Sequence, residues 1–270
     1  MASPWIAALI ALFLWWFSTG AILIAVRHAD RAGRRASVTA TVASLPLLAL
    51  GLWGFDVTLG DLSPGAVYWA FLAALAIWGW VEFAFLTGTI TGPVLQPCPE
   101  DLPEWERFVR AWGTVAYHEM LLAALLIVLL IHAHDTPHAF GFWTFAVLYA
   151  ARISAKLNLF FGVPRINVEF LPTALRHLPS HFRIARLNWM FPISVTALAF
   201  AAACWLERLI AAATPGEAVG FALLAALTSL ALLEHWLMVL PLPDAKLWRW
   251  MLPAPKPPEL TAKPEGHHGL

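Results

Sequence analysis

Repeated stretches of about 20 predominantly apolar residues limit what this chain can fold into more than any other feature. A helix of that length, at 1.5 Å per residue, crosses the hydrocarbon core of a bilayer. Lipid offers no partner to a backbone N–H or C=O, so an apolar span satisfies its own backbone as a helix. The candidate spans are residues 4–26, 36–55, 65–90, 111–133, 142–162, 189–213 and 219–240. The chain is 60% hydrophobic and 13% charged, with a mean hydropathy of +0.70, which excludes a soluble enzyme of ordinary composition. Lys plus Arg equals Asp plus Glu at 17 each, so bulk charge points to neither nucleic acid nor an acidic partner. The expected fold class is all-α, a polytopic membrane helix bundle of about seven transmembrane helices over residues 1–252. A Pro-rich, disordered tail is expected at 253–270.

The connections alternate in charge. Arg27, Arg31, Arg34 and Arg35 follow the first span, and Arg107 and Arg110 precede the fourth. Arg165, Arg176, Arg183 and Arg186 separate the fifth and sixth, and Lys246, Arg249, Lys256 and Lys263 follow the seventh. The opposite connections, 56–64, 134–141 and 214–218, contain no Lys or Arg. The positive-inside rule then places the N-terminus outside and the C-terminus in the cytoplasm, and an even number of spans would break the pattern. The first apolar run has no basic residue before it, the reverse of a secretory signal, and reads as a retained span. Trp5, Trp53, Trp112, Trp143 and Trp189 fall at span ends as interfacial anchors. Segments 103–113 and 243–252 mix Trp with charge (Trp248 and Trp250 beside Lys246 and Arg249) and read as short helices on the cytoplasmic face. Segment 163–188 alternates Phe170, Leu171, Leu175, Leu178 and Phe182 with Arg and His, and is expected to lie on the membrane surface. Cys98 and Cys204 are too few and too dissimilar in setting to argue a disulfide framework.

Ionisable groups inside spans cost about 2.5 to 3.5 kcal/mol each at the centre of a helix, so each demands a partner. The third span carries Glu82, the fourth Tyr117, His118 and Glu119, the fifth Arg152, Lys156 and Asn158, and the seventh Glu234 and His235. Counted from the span centres, Glu82, His118, Glu119, Lys156 and Glu234 all fall about 5 to 9 Å to the cytoplasmic side of the midplane. Arg152 lies one turn before Lys156 on the same helix face. Three carboxylates, one Arg and one Lys at a shared depth predict a buried, nearly self-neutralising cluster.

Several readings of that layer stay open. Interhelical hydrogen bonds and ion pairs commonly fix packing in membrane bundles. Alternatively, His118 or His235, flanked by Tyr117 and Trp236 with Trp78 and Trp80 nearby, has the chemistry to hold a tetrapyrrole, which makes these six the pigment- or ligand-binding candidates. A carboxylate–histidine metal centre is disfavoured because Glu and His are adjacent, about 100° apart on a helix, rather than spaced to share a face. A transporter or exchanger of a hydrophobic or porphyrin-like substrate, or an intramembrane enzyme using Glu119 or Glu234, is compatible with charges at one depth. His132, His134, Asp135 and His138 gather in one outer connection and read as a solvated loop. No P-loop, zincin motif or nucleophile elbow occurs, and the seventh span has no Lys for a retinal Schiff base.

The chain resembles the photosynthetic complex assembly protein family PuhE of purple phototrophic bacteria. The resemblance rests on Thr91-Gly92-Pro93 with Pro97-Cys98-Pro99, on Tyr117-His118-Glu119, and on Lys156-Leu157-Asn158-Leu159-Phe160 running into Gly162-Val163-Pro164. It continues through Glu169-Phe170-Leu171-Pro172, Leu175-Arg176 and residues 182–188, and covers the chain from the first span to about Leu240. The resemblance implies a multi-pass protein of the bacterial inner (intracytoplasmic) membrane and no known reaction. Such a protein assists assembly of the reaction centre and light-harvesting complex, with those subunits as partners and bacteriochlorophyll or a precursor as the possible ligand. It supplies no catalytic residues, so the site assignments rest on the polar layer alone.

Overall fold

The computed structural model describes residues 3–169 and 171–241, which leaves Phe170, the expected surface helix at 243–252 and the expected tail outside the described residues. Nine α-helices form among the described residues: α1 (Pro4–Ala32), α2 (Arg34–Ala43), α3 (Leu45–Thr58), α4 (Pro64–Leu86), α5 (Glu104–Gly113), α6 (Ala116–Ala133), α7 (Phe140–Phe161), α8 (Met190–Ile210) and α9 (Pro215–Leu237). Local sequence sets their ends. Pro64 and Pro215 open α4 and α9 at a position where the missing N–H costs nothing. At α9 the Thr214 hydroxyl accepts from the Glu217 N–H at 3.2 Å while Glu217 accepts from the Thr214 N–H at 3.1 Å, a reciprocal cap. Helix α1 runs on through its polar end and stops at Gly33, whose φ of +90° few side-chain-bearing residues adopt.

Two boundaries differ from the sequence reading. The second expected span is two helices, because Pro46 has no N–H to continue α2 and the chain turns at Ser44 before α3 begins. The fourth begins at Ala116, since a turn at Thr114 and Val115 separates off α5, the short helix expected at 103–113.

Among the described residues, six helical stretches are long and apolar enough to cross a bilayer: α1, α2 with α3, α4, α6, α8 and α9. The fold is therefore an all-helical, multi-pass membrane bundle. Helix α7, with 22 residues, is outside that set; it carries Arg152, Lys156 and Asn158, and it packs against α4 and α9. Of the apolar window of α4, 67% is buried, and of that of α9, 56%, against 17% for α1 and α8, so α4 and α9 form the centre and α1 and α8 the flanks. One core lies between α3, α4, α6 and α7, built on Phe55, Ile77, Leu122 and Phe145. A second, between α1, α4, α7 and α9, is built on Val67, Phe71, Phe140 and Leu224.

The connection from α7 to α8, expected on the membrane surface, turns part of its apolar set inward. It folds into two 3-10 turns, Thr173–Leu175 and Leu178–His181, and buries Leu175 and Leu178 against Phe85. Asp30 at the end of α1 accepts from the Thr173 N–H at 3.1 Å and its hydroxyl at 2.9 Å, and the Ser180 hydroxyl accepts from the Cys98 N–H at 2.9 Å. The segment is a lid tied across one end of the bundle.

Candidate functional site

Helices α4, α6 and α7 bring their charged residues into one cluster. Arg152 donates to Glu82 at 2.9 Å, and Lys156, one turn along α7, forms an ion pair with Glu119 of α6. The four-residue spacing on α7 puts both cations on one face, so a single helix is tied to two neighbours. His118 sits behind them, fully buried, with its Nε2 3.7 Å from Glu82 and 4.0 Å from Glu119 and its ring 4.4 Å from that of Phe85. Those separations exceed hydrogen-bonding distance. Glu82 Oε1, Glu119 Oε2, Arg152 Nε and both His118 ring nitrogens are buried without a hydrogen-bond partner among the described residues.

Glu234 reaches the same region from α9 and accepts a hydrogen bond from the Trp15 side chain of α1. With Glu119, Arg152 and Lys156 it lines a cavity of about 680 Å³ walled by α1, α4, α5, α7 and α9 and roofed by Leu171, Leu178, His181 and Phe182 of the lid. Glu82 and His118 stand behind this charged front and do not line it.

The remaining sequence candidates lie apart from the cavity or have other partners. His235 is buried with Nδ1 2.8 Å from the Ala231 carbonyl and Nε2 2.9 Å from the Ser154 hydroxyl, so the ring donates to the first and accepts from the second. It links α9 to α7 and has no nitrogen left for a ligand. Asn158, also fully buried, donates to the Ser194 hydroxyl of α8 at 2.8 Å and accepts from Asn188 at 3.2 Å. Trp80 donates to the Thr41 carbonyl at 3.3 Å, and Trp78 packs edge-on to Phe145 with ring centroids 5.4 Å apart. Tyr117 and Trp236 are exposed on the outside of the bundle, Trp236 edge-on to Phe191. The aromatic residues proposed to surround a macrocycle thus do not converge. Among the described residues no three His, Cys, Asp or Glu side chains are placed to hold a metal ion.

The sequence reading missed polar contacts that join the segments around the lid. Arg107 of α5 donates to the carbonyls of Phe160 at 2.9 Å and His181 at 3.0 Å and stacks over the Phe160 ring at 4.2 Å. Arg34 donates to the Gly88 carbonyl at 2.8 Å. Glu104 pairs with Arg183, which holds its carboxyl below the usual range. Burial holds His177 and His181 in the lid below the usual histidine range. As basic residues in polar connections, Arg34 and Arg107 carried no signal beyond topology, because their partners are backbone carbonyls far away in sequence.

Comparison with known proteins places the chain in a family. A family model described as "Protein of unknown function (DUF3623)" matches residues 1–259. A protein of Rhodobacter capsulatus named "Uncharacterized 30.4 kDa protein in puhA 5'region" is 51% identical over 265 residues, 98% of this chain and 97% of the relative. No solved structure matches. On a match spanning nearly the whole chain and a relative identical at half of its positions, this protein belongs to the DUF3623 family.

Proposed function

We propose that this protein is an assembly factor of the photosynthetic membrane, a PuhE-type protein that assists formation of the reaction centre and its light-harvesting complex and influences the supply of bacteriochlorophyll. The observation that carries the proposal is the near full-length relative whose name locates it in the puhA 5' region, a photosynthesis-gene neighbourhood. The motifs at Tyr117-His118-Glu119 and at residues 156–164 agree with it.

In this reading α7 crosses the membrane with the six more apolar stretches, its Arg152 and Lys156 made tolerable by Glu82 and Glu119. With seven crossings, the positive-inside rule favours a cytoplasmic position at the bacterial inner membrane for the arginine-bearing lid and α5, and an outside N-terminus. The exposed apolar faces of α1 and α8 are the surfaces offered to lipid and to photosynthetic subunits. The buried ion pairs maintain the fold, and no covalent chemistry is assigned to them.

Deleting the gene and recording near-infrared absorption of membranes from phototrophically grown cells tests the proposal. The expected result is a loss of reaction-centre and antenna bands relative to the parent, restored by the gene in trans. Unchanged bands would remove the assembly role.

A further inference from the structure

The cavity beside the ion pairs is larger than packing defects in well-packed proteins and lies within the roughly 300 to 1,000 Å³ range of small-molecule sites. We infer that it is a binding site for a neutral amphipathic molecule, an apolar body bearing carbonyl acceptors at one end, held by Arg152 and Lys156. The inference stands without the assembly role.

The walls fix the apolar part. Trp15 of α1 and Phe108 and Trp112 of α5 line the space together with Tyr149 and Phe160 of α7 and Phe85 of α4. Such aromatic surfaces bind flat or branched apolar groups through dispersion, and a void left empty would forfeit those contacts. The polar groups gather on the wall where α7 meets α4, α6 and α9. Carboxylates and cations are matched there: Glu82 with Arg152, Glu119 with Lys156, and Glu234 facing Arg152; Arg165 also lines the space. A charged headgroup therefore finds little net attraction and would have to be desolvated to enter. A carbonyl is different, because it accepts hydrogen bonds without adding charge. The Arg152 and Lys156 side chains keep 36% and 22% of their surface accessible, both line the cavity, and each cation carries more N–H donors than its ion pair uses. Glu234, accessible within the cavity, adds an acceptor for a hydroxyl or N–H on the same headgroup.

Two sources share this chemistry, an isoprenoid quinone and an esterified tetrapyrrole, and quenching of tryptophan fluorescence separates them because Trp15 and Trp112 line the site. The purified full chain in detergent is titrated with decylubiquinone, with pheophorbide methyl ester, and with dodecanoate as an anionic amphipath. Saturable quenching by one neutral probe, with no displacement by dodecanoate, is expected and identifies the source. Ala155→Phe fills the cavity from α7 and Ala111→Phe fills it from α5, neither touching a charge. Either is expected to abolish saturation. The paired variant Glu82→Gln/Arg152→Gln leaves neither Glu82 nor Arg152 charged without its partner. It is expected to weaken binding about ten-fold, the size of one hydrogen bond to a charged donor. Non-saturating quenching by both neutral probes, displacement by dodecanoate, or wild-type binding in both filled variants would overturn the inference.

Discussion

The two ends of the bundle hold the same helices together by opposite means. At the end where α4, α7 and α9 begin, backbones touch: a Cβ on Gly216 would stand 1.7 Å from the Leu62 carbonyl oxygen, and one on Gly220 would stand 2.3 Å from the Phe140 ring. Small residues let helices approach closely enough for dispersion alone to hold them. At the lid end long charged side chains join α7 to α4, Arg152 to Glu82, and α7 to α6, Lys156 to Glu119, and a cavity remains beside them. Close backbone contact leaves no room for a ligand, whereas charged spacers hold helices apart and line the gap with polar groups. A site belongs at the second end.

Changing the tight end should have the largest effect. Gly216→Ala drives a methyl group into a backbone carbonyl that no side-chain rotation can relieve, and should cost about 3 kcal/mol or prevent folding. Thermal unfolding in detergent, followed by fluorescence and size exclusion, measures it. A variant that melts like the parent would mean that this end is not a clamp.

The charged end should respond less and in a recognisable pattern. Arg152→Ala leaves Glu82 charged and unpartnered, and should cost about 2 to 3 kcal/mol, below the figure for a fully enclosed pair because 36% of the Arg152 side chain stays accessible. The double variant Glu82→Gln/Arg152→Gln removes both charges and should recover most of that loss. Additive losses in the same melting assay would show that the two residues act independently, and the ion pair would then not be what spaces α7 from α4.

Much of this contrast was legible in the sequence, and its limits have physical causes. Span length and apolarity marked the membrane helices, because lipid dictates both. Shared depth marked Glu82, Glu119 and Lys156 as neighbours, because ionisable groups in lipid need partners. Depth alone cannot give direction around a helix, and so His118 was grouped with His235 although one faces two carboxylates and the other bonds Ser154. Tyr117, next to His118 in sequence, points outward for the same reason. The burial of Leu175 and Leu178 is not legible, because they alternate with polar residues as a surface segment would and only the tertiary contact with Phe85 reveals it. The glycine contacts were invisible, since a glycine in an apolar run gives no sign of what it faces.

The smallest expected effect is confined to the lid and depends on pH. His177 and His181 lie in it with burial holding both below the usual histidine range; at His181 a hydrogen bond to the His177 backbone opposes that shift, and the positive charges of His177, Arg107 and Arg110 add to it. A folded-state value below the unfolded value of about 6.5 means that the unfolded lid binds protons more readily. The lid's stability is then complete above that pH and declines as pH falls through and below it. At the opposite end His138 is also lowered by burial, but hydrogen bonds to the Thr58 and Asp61 backbones and the Asp61 charge oppose the shift. Two such histidines lie in the lid and His138 alone at the opposite end, so acidification should loosen residues 171–182 more than residues 134–139. Hydrogen exchange at about pH 7.5 and 5.5, corrected for intrinsic rates, is expected to show lid amides losing protection while the helix starts around Gly216 and Gly220 keep theirs. Gln at both 177 and 181 should remove the pH dependence without opening the lid at neutral pH. Equal loss of protection at both ends would attribute the acid response to the bundle as a whole and remove the lid as a separately titrating unit.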